Sequence, residues 1–154
     1  VPVRKVQLAL LKAGCYIMPY LDLPKDHRHF IAVQKIGATG ILRGEGRNVG
    51  WANQTWFRTD DPLLAEEIYV SDLYSGALPI PPGEVSVKTL IGVMRSIGFP
   101  VPADEAAWWE SLGLDSFDAS RTVTRLEAAV VIDKLIDPFR MFGINLKGEI
   151  LNRY

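Results

Sequence analysis

The stretch Thr124-Arg125-Leu126-Glu127 constrains this chain more than any other. A threonine followed three residues later by a glutamate, just ahead of an apolar run, is a helix start. The Thr124 hydroxyl can accept from the Glu127 amide, and the Glu127 carboxylate can reach back to the Thr124 amide, which closes a capping box. Behind that cap Leu126, Ala129, Val130, Val131, Leu135 and Ile136 lay down one apolar stripe, and Asp137-Pro138 stops the helix. Such a stripe is stable in water only when covered, so the rest of the chain must supply matching apolar faces.

The same punctuation recurs along the chain. Val3, Val6, Leu10 and Ala13 fall at helical spacing ahead of Gly14. Asp26 is placed to cap a helix running to about Ile36. Ser86 starts an amphipathic helix with Val87, Leu90, Ile91, Met94 and Ile97 inward, ended by Gly98. Asp104 starts a short one that holds Trp108, Trp109 and Leu112 and closes at Gly113. Asp60-Asp61-Pro62 offers Asp61 as an acidic cap with proline at the first helical position, ahead of Leu64, Ile68 and Leu73. Between these, residues 37–57 form a glycine-rich loop with short strand pieces at most, while Cys15–Met18 and the tail Ile144–Leu151 suit a small strand pair. The expectation is a mostly α fold: a multi-helix domain of two degenerate helix-loop-helix units, with at most a small two-stranded β element. Residues 1–154 are read as one domain, divisible into sub-units 1–78 and 84–154 across the proline-rich connection Gly76–Gly83. Because it begins at Val1 without Met, the chain is expected to be a piece of a longer protein.

Charge excludes some partners. With 17 basic and 18 acidic residues, scattered without a basic stripe, the chain lacks the electrostatic footprint of a nucleic-acid binder. Its apolar runs are too short for a membrane span, and no secretory leader pattern is present. A lone Cys15 rules out an intrachain disulfide and is expected to be a buried, inert thiol. His27 and His29, two apart, cannot share one helix face, so no metal ligands are assigned.

Candidate contacts fall in two places. In the glycine-rich segment, Trp51, Asn53, Gln54, Trp56 and Arg58 are a set suited to stacking on sugars and bonding their hydroxyls, or to closing the core. Gly44-Glu45-Gly46-Arg47 lacks the spacing of a phosphate loop. Asp60, Asp61, Glu66 and Glu67 could act as paired carboxylates for acid–base work in a small enzyme or lyase fragment or for calcium, or serve only as a helix start and its solvated face. No residues form a nucleophile and base constellation, so no catalytic residue is assigned.

Trp108-Trp109, Gly113-Leu114, Phe117 and Thr124-Arg125-Leu126-Glu127-Ala128-Ala129 resemble a bacterial S-layer homology repeat, whose second helix opens on Thr-Arg-x-Glu. Residues 36–41, with Phe57 and Asp61, look like a degenerate copy in which Asp60-Asp61-Pro62 replaces that cap. The resemblance implies a non-catalytic, carbohydrate-binding module in which Arg125, with Arg121 close by, contacts anionic cell-wall polysaccharide. It favours an extracytoplasmic, periplasmic or cell-surface location. Val3–Gln7, Gly14–Pro19 and residues 36–44 are similar to the C-terminal region of bacterial FAD-dependent oxidoreductases, some labelled xanthan lyases. That similarity implies an accessory domain packed on an upstream enzyme domain of the same polypeptide. Any FAD would lie upstream, with no cofactor in this chain.

Overall fold

The computed structural model describes residues 3–13, 15–69 and 80–138, with residues 3–7 as helical backbone alone. Helices α1 (Val3–Lys12), α2 (Phe30–Ala38), α3 (Val87–Ser96), α4 (Glu105–Ser111) and α5 (Arg125–Ile136) accompany an antiparallel hairpin of β1 (Glu45–Val49) and β2 (Ala52–Trp56). This is a small mixed α/β domain, which corrects the mostly α expectation. The glycine-rich segment expected as a loop is the hairpin itself. Val49 pairs with Ala52 across Gly50-Trp51, and Gly50 takes φ of 62°, as a two-residue hairpin turn demands at its first central position. Cys15–Met18 forms no strand, and its expected partner Ile144–Leu151 lies outside the described residues.

Three short extended segments organise the interior. The Leu63 amide donates to the Val123 carbonyl (2.9 Å), Val123 to Val85 (2.9 Å) and Val85 back to Leu63 (3.0 Å), closing a ring. A second ring surrounds it: Ala65 donates to Gly83, Val87 to Arg121, and Arg125 to Asp61, each at 2.9 Å. The three segments are therefore equivalent about a pseudo-threefold axis, with Leu63, Val85 and Val123 almost wholly buried at its centre.

Each segment then turns into a helical start, and the side chain at the turn decides how far the helix runs. Ser86 and Thr124 share extended backbone angles, and each hydroxyl accepts from the amide three residues on, at Thr89 and Glu127. Helices α3 and α5 follow them. At the equivalent position Leu64 has extended angles too but no hydroxyl, and a single 3-10 turn, Ala65–Glu67, follows. Asp61 is thus not a helix cap: the residue matching Thr124 is Leu64, and Asp61 matches Arg121. The helix expected over Leu64, Ile68 and Leu73 stops at Glu67, with Leu73 outside the described residues. The capping box at Thr124 and Glu127 is present in full.

Buried residues from both halves of the chain join one core, in which α2 packs on α5. Lys35 of α2, 6% exposed, reaches Asp133 (2.7 Å) and Asp137 (3.1 Å) at the end of α5. Asp26 does not start α2; His29 holds that place without a side-chain cap. Buried Gln34 accepts from the Ile17 and Met18 amides and donates to the Met18 carbonyl, which pins that extended run onto α2. The hairpin root is fixed by Tyr20. Its ring lies where a Cβ at Gly44 would approach to 2.5 Å, so only glycine lets β1 come this close. Burial pushes the Tyr20 phenol up to about 12.

Candidate functional site

Arg125 sits at the centre of a buried polar cluster. Its side chain is fully buried, with the guanidinium 5.0 Å from the centre of the Phe57 ring. Nε donates to the Phe57 carbonyl (2.9 Å), Nη2 to the Arg43 carbonyl (2.6 Å) and Nη1 to the Glu67 carboxylate. Burial pushes its pKa below the ordinary guanidinium value, and Glu67 opposes that. It still stays charged at any biological pH. A cation so enclosed fastens the third ring segment to the hairpin root and the first segment. It offers no donor to a ligand arriving from solvent.

Arg121, also expected to touch a ligand, is half-buried and held two-handed by Glu127. Nη1 donates to Oε1 at 2.8 Å and Nη2 to Oε2 at 2.7 Å, while Oε1 also accepts from the Thr124 amide at 2.9 Å. Burial alone would raise the Glu127 pKa, but the Arg121 and Thr124 bonds outweigh it and hold the carboxyl below its usual range. The pair lines a cleft of about 400 Å³ with Arg28 and His29. His29 Nε2 lies 3.1 Å from the Gly113 carbonyl, and burial lowers its pKa.

The hairpin residues present a different surface. Register places Glu45 opposite Trp56, Arg47 opposite Gln54 and Val49 opposite Ala52, so these six share one face. Asn48 and Asn53 lie on the other face. Trp51, at the turn, is 99% exposed. Beneath the first face Glu45, Arg47, Trp56, Arg58 and Asp61 line an open cleft of about 440 Å³, within the usual range for small-ligand sites. Trp56 is its half-buried floor, with the Arg47 guanidinium 5.6 Å from the ring centre.

Arg58 is aimed into this cleft by an unusual backbone. Its φ is 64°, a left-handed conformation that costs a non-glycine residue on the order of 1 kcal/mol. Asp22 enforces it: one carboxylate oxygen accepts from the Phe57 amide (2.8 Å), the other from Arg58 (2.7 Å) and Thr59 (3.1 Å). Strain held by three bonds is a mark of a positioned side chain. Asp22 lies far from Arg58 in sequence, and nothing in the local pattern announces it. Glu45 and Arg47 were legible in principle, since charged residues alternate with Gly46 and Asn48 ahead of a Gly-Trp turn.

Of the expected contacts, then, Trp56, Gln54 and Arg58 gather at one face. Trp51 stands at the tip, Asn53 points away, Arg121 borders a separate cleft and Arg125 is sealed inside. Asp60 is exposed, Asp61 lines the hairpin cleft, Glu66 accepts from the Gly83 amide (2.9 Å), and Glu67 is taken up by Arg58 and Arg125. These carboxylates do not converge as an acid–base pair. Cys15 is exposed, not buried as expected, and both Trp108 and Trp109 are buried. Among the described residues, no three or more of His, Cys, Asp and Glu are grouped to hold a metal, and no helix is long and apolar enough to cross a membrane. No protein-family model matches the chain, and neither a curated protein nor a solved structure gives a significant match.

Proposed function

We propose that this chain is a non-catalytic accessory module that holds polysaccharide on the hairpin face and in the cleft beneath it. The observation that carries this reading is the grouping of Trp56, Gln54, Arg47, Glu45, Arg58 and Asp61: a flat apolar ring bordered by planar hydrogen-bonding groups. A sugar ring presents the complement, with C–H groups on its faces and hydroxyls at its rim. The repeat-like sequence fits such a role, and three equivalent ring segments support reading the chain as built from related units. By its similarity to the C-terminal regions of FAD-dependent oxidoreductases, the module would serve a bacterial enzyme of that kind, outside the cytoplasm. Isothermal titration against a panel of neutral and acidic polysaccharides tests it. Heat that disappears in Trp56→Ala is expected; no heat from any of them at millimolar concentration overturns the reading.

A second reading, packing on an upstream domain, is favoured by Trp51 alone, since a fully exposed tryptophan at a hairpin tip is a natural anchor. It predicts that Trp51 becomes shielded from acrylamide quenching when the chain is joined to its upstream sequence. Undiminished quenching there would remove it.

A further inference from the structure

From the charge pairing in the hairpin cleft we infer that its ligand is an uncharged saccharide, recognised through pairs of neighbouring hydroxyls. This rests on the polysaccharide reading above and narrows it.

Each cation that reaches the cleft already faces carboxylates. Arg47 Nε lies 2.9 Å from Glu45 Oε1. Arg58 donates to Glu67 through Nη2, while its Nε is 3.8 Å from Glu45 Oε2 and its Nη1 is 3.7 Å from Asp61 Oδ2. Arg125, the remaining guanidinium of the cluster, is fully buried against Glu67. An anionic sugar approaching Arg58 would therefore meet Glu45 and Asp61 at close range, and like charges there repel it. Each of the three guanidiniums is already paired with at least one carboxylate, which offsets its pull on an anion.

A neutral polyol meets no such penalty. The Arg58 Nη1 contact with Asp61, at 3.7 Å, is longer than a hydrogen bond, so this pair and the part-exposed Glu45 carboxylate retain bonding capacity toward a hydroxyl, whereas Arg58 Nε is sealed from solvent. A hydroxyl donates and accepts at once, and two on adjacent carbons can donate to a carboxylate while accepting from the guanidinium beside it. Trp56 supplies the stacking surface, and Gln54 on the same face adds an uncharged donor and acceptor. The Arg58 backbone is fixed by Asp22, and its guanidinium by Glu67, in advance of any ligand.

Titration of the whole chain with maltohexaose, cellohexaose, mannohexaose and hexagalacturonate, followed by amide and indole shifts at 20 and 500 mM NaCl, tests the inference. The expected result is binding of a neutral hexamer that moves the Trp56, Gln54 and Arg47 signals and is indifferent to salt. Trp56→Ala should abolish it. The milder Asp61→Asn, away from the core, should weaken it at least about fivefold, since the amide oxygen accepts from a hydroxyl without the carboxylate's charge. Hexagalacturonate binding at the same residues, weakened by salt and strengthened by Asp61→Asn, would overturn this inference and leave the polysaccharide reading standing. Neutral binding that leaves Trp56 unmoved would overturn it too. If none of the four binds, both fall.

Discussion

Arg125 and Arg58 share one acceptor, the Glu67 carboxylate, yet they belong to different parts of the molecule. Arg125 has each of its three side-chain nitrogens bonded, to Glu67 and two backbone carbonyls, behind a fully closed surface. Arg58 keeps about a third of its side chain exposed, on a strained backbone, facing two carboxylates it does not quite bond. The motif residue that looks most functional is thus structural, and the loop residue beside it has what a ligand needs. Enclosure distinguishes the two roles: a buried charge needs a protein partner at each of its polar atoms reached by no water, whereas a recognition group must hold bonding capacity open to solvent.

Breaking the structural side should have the largest effect. Arg125→Ala leaves Glu67 with one partner and the Phe57 and Arg43 carbonyls with none. A loss of about 3–5 kcal/mol is expected, enough to unfold a domain of ordinary stability. Urea denaturation measures it. Arg125→Met combined with Glu67→Leu should recover part of that loss, since removing both charges is cheaper than orphaning one. A single variant with near-native stability would show that the cluster is not the fastener described here.

Asp22→Asn tests the link between the two sides. The asparagine keeps one acceptor oxygen for three amides, so about 2–3 kcal/mol should go. Arg58 should relax from its left-handed backbone at the same time. The Arg58 amide shift reports this directly; an unchanged shift would mean that the ring, and not Asp22, sets the conformation.

How much of this could be read in advance depended on the range of the interaction. The capping box at Thr124, the Ser86 and Asp104 starts and the stops at Gly98 and Gly113 are local, and the backbone follows them. The hairpin was half-legible, because glycines that suggest a loop also permit the turn at Gly50 and the close approach of Tyr20 to Gly44. The ring was not legible. Leu63, Val85 and Val123 stand at unequal sequence distances, and their equivalence lies in backbone bonds that leave no side-chain signature. For the same reason the sequence offers Asp61 as the counterpart of Thr124, because Leu64, three residues further on, carries no hydroxyl to mark its place. Arg125 misled for a related reason. A Thr-Arg-x-Glu pattern fixes the local helix start but says nothing of what the arginine meets, here two segments far away in the chain.

Glu127→Gln sharpens the comparison from the other arginine. The amide keeps an oxygen for Thr124 but loses the charged two-handed grip of Arg121, for a cost of about 1–2 kcal/mol at neutral pH. The pH dependence gives the sign. A carboxyl held below its usual range stabilises the fold above its unfolded pKa, roughly 4.3, and that contribution drains away as pH falls through the folded value. His29, whose pKa burial lowers, adds an earlier acid loss that starts as pH drops below about 6.5, where the unfolded imidazole takes up its proton first. Thermal melts from pH 7 to 3 should therefore fall in two stages in the wild type. Glu127→Gln should lack the lower one, and its persistence would assign that loss to other carboxylates.

The smallest expected change in stability belongs to Trp51→Ser. A ring that is 99% exposed buries almost nothing, so its removal should alter stability by less than about 0.5 kcal/mol. Gly50 and the strand register remain, so the hairpin should keep its form. The same change should leave saccharide binding at Trp56 intact if the cleft is the site, because Trp51 stands at the turn and not among the cleft-lining residues. Lost binding with unchanged stability would extend the recognition surface along the hairpin to its tip. Unchanged binding, together with lost attachment to an upstream domain, would divide the hairpin in two, its face for a sugar and its tip for a protein.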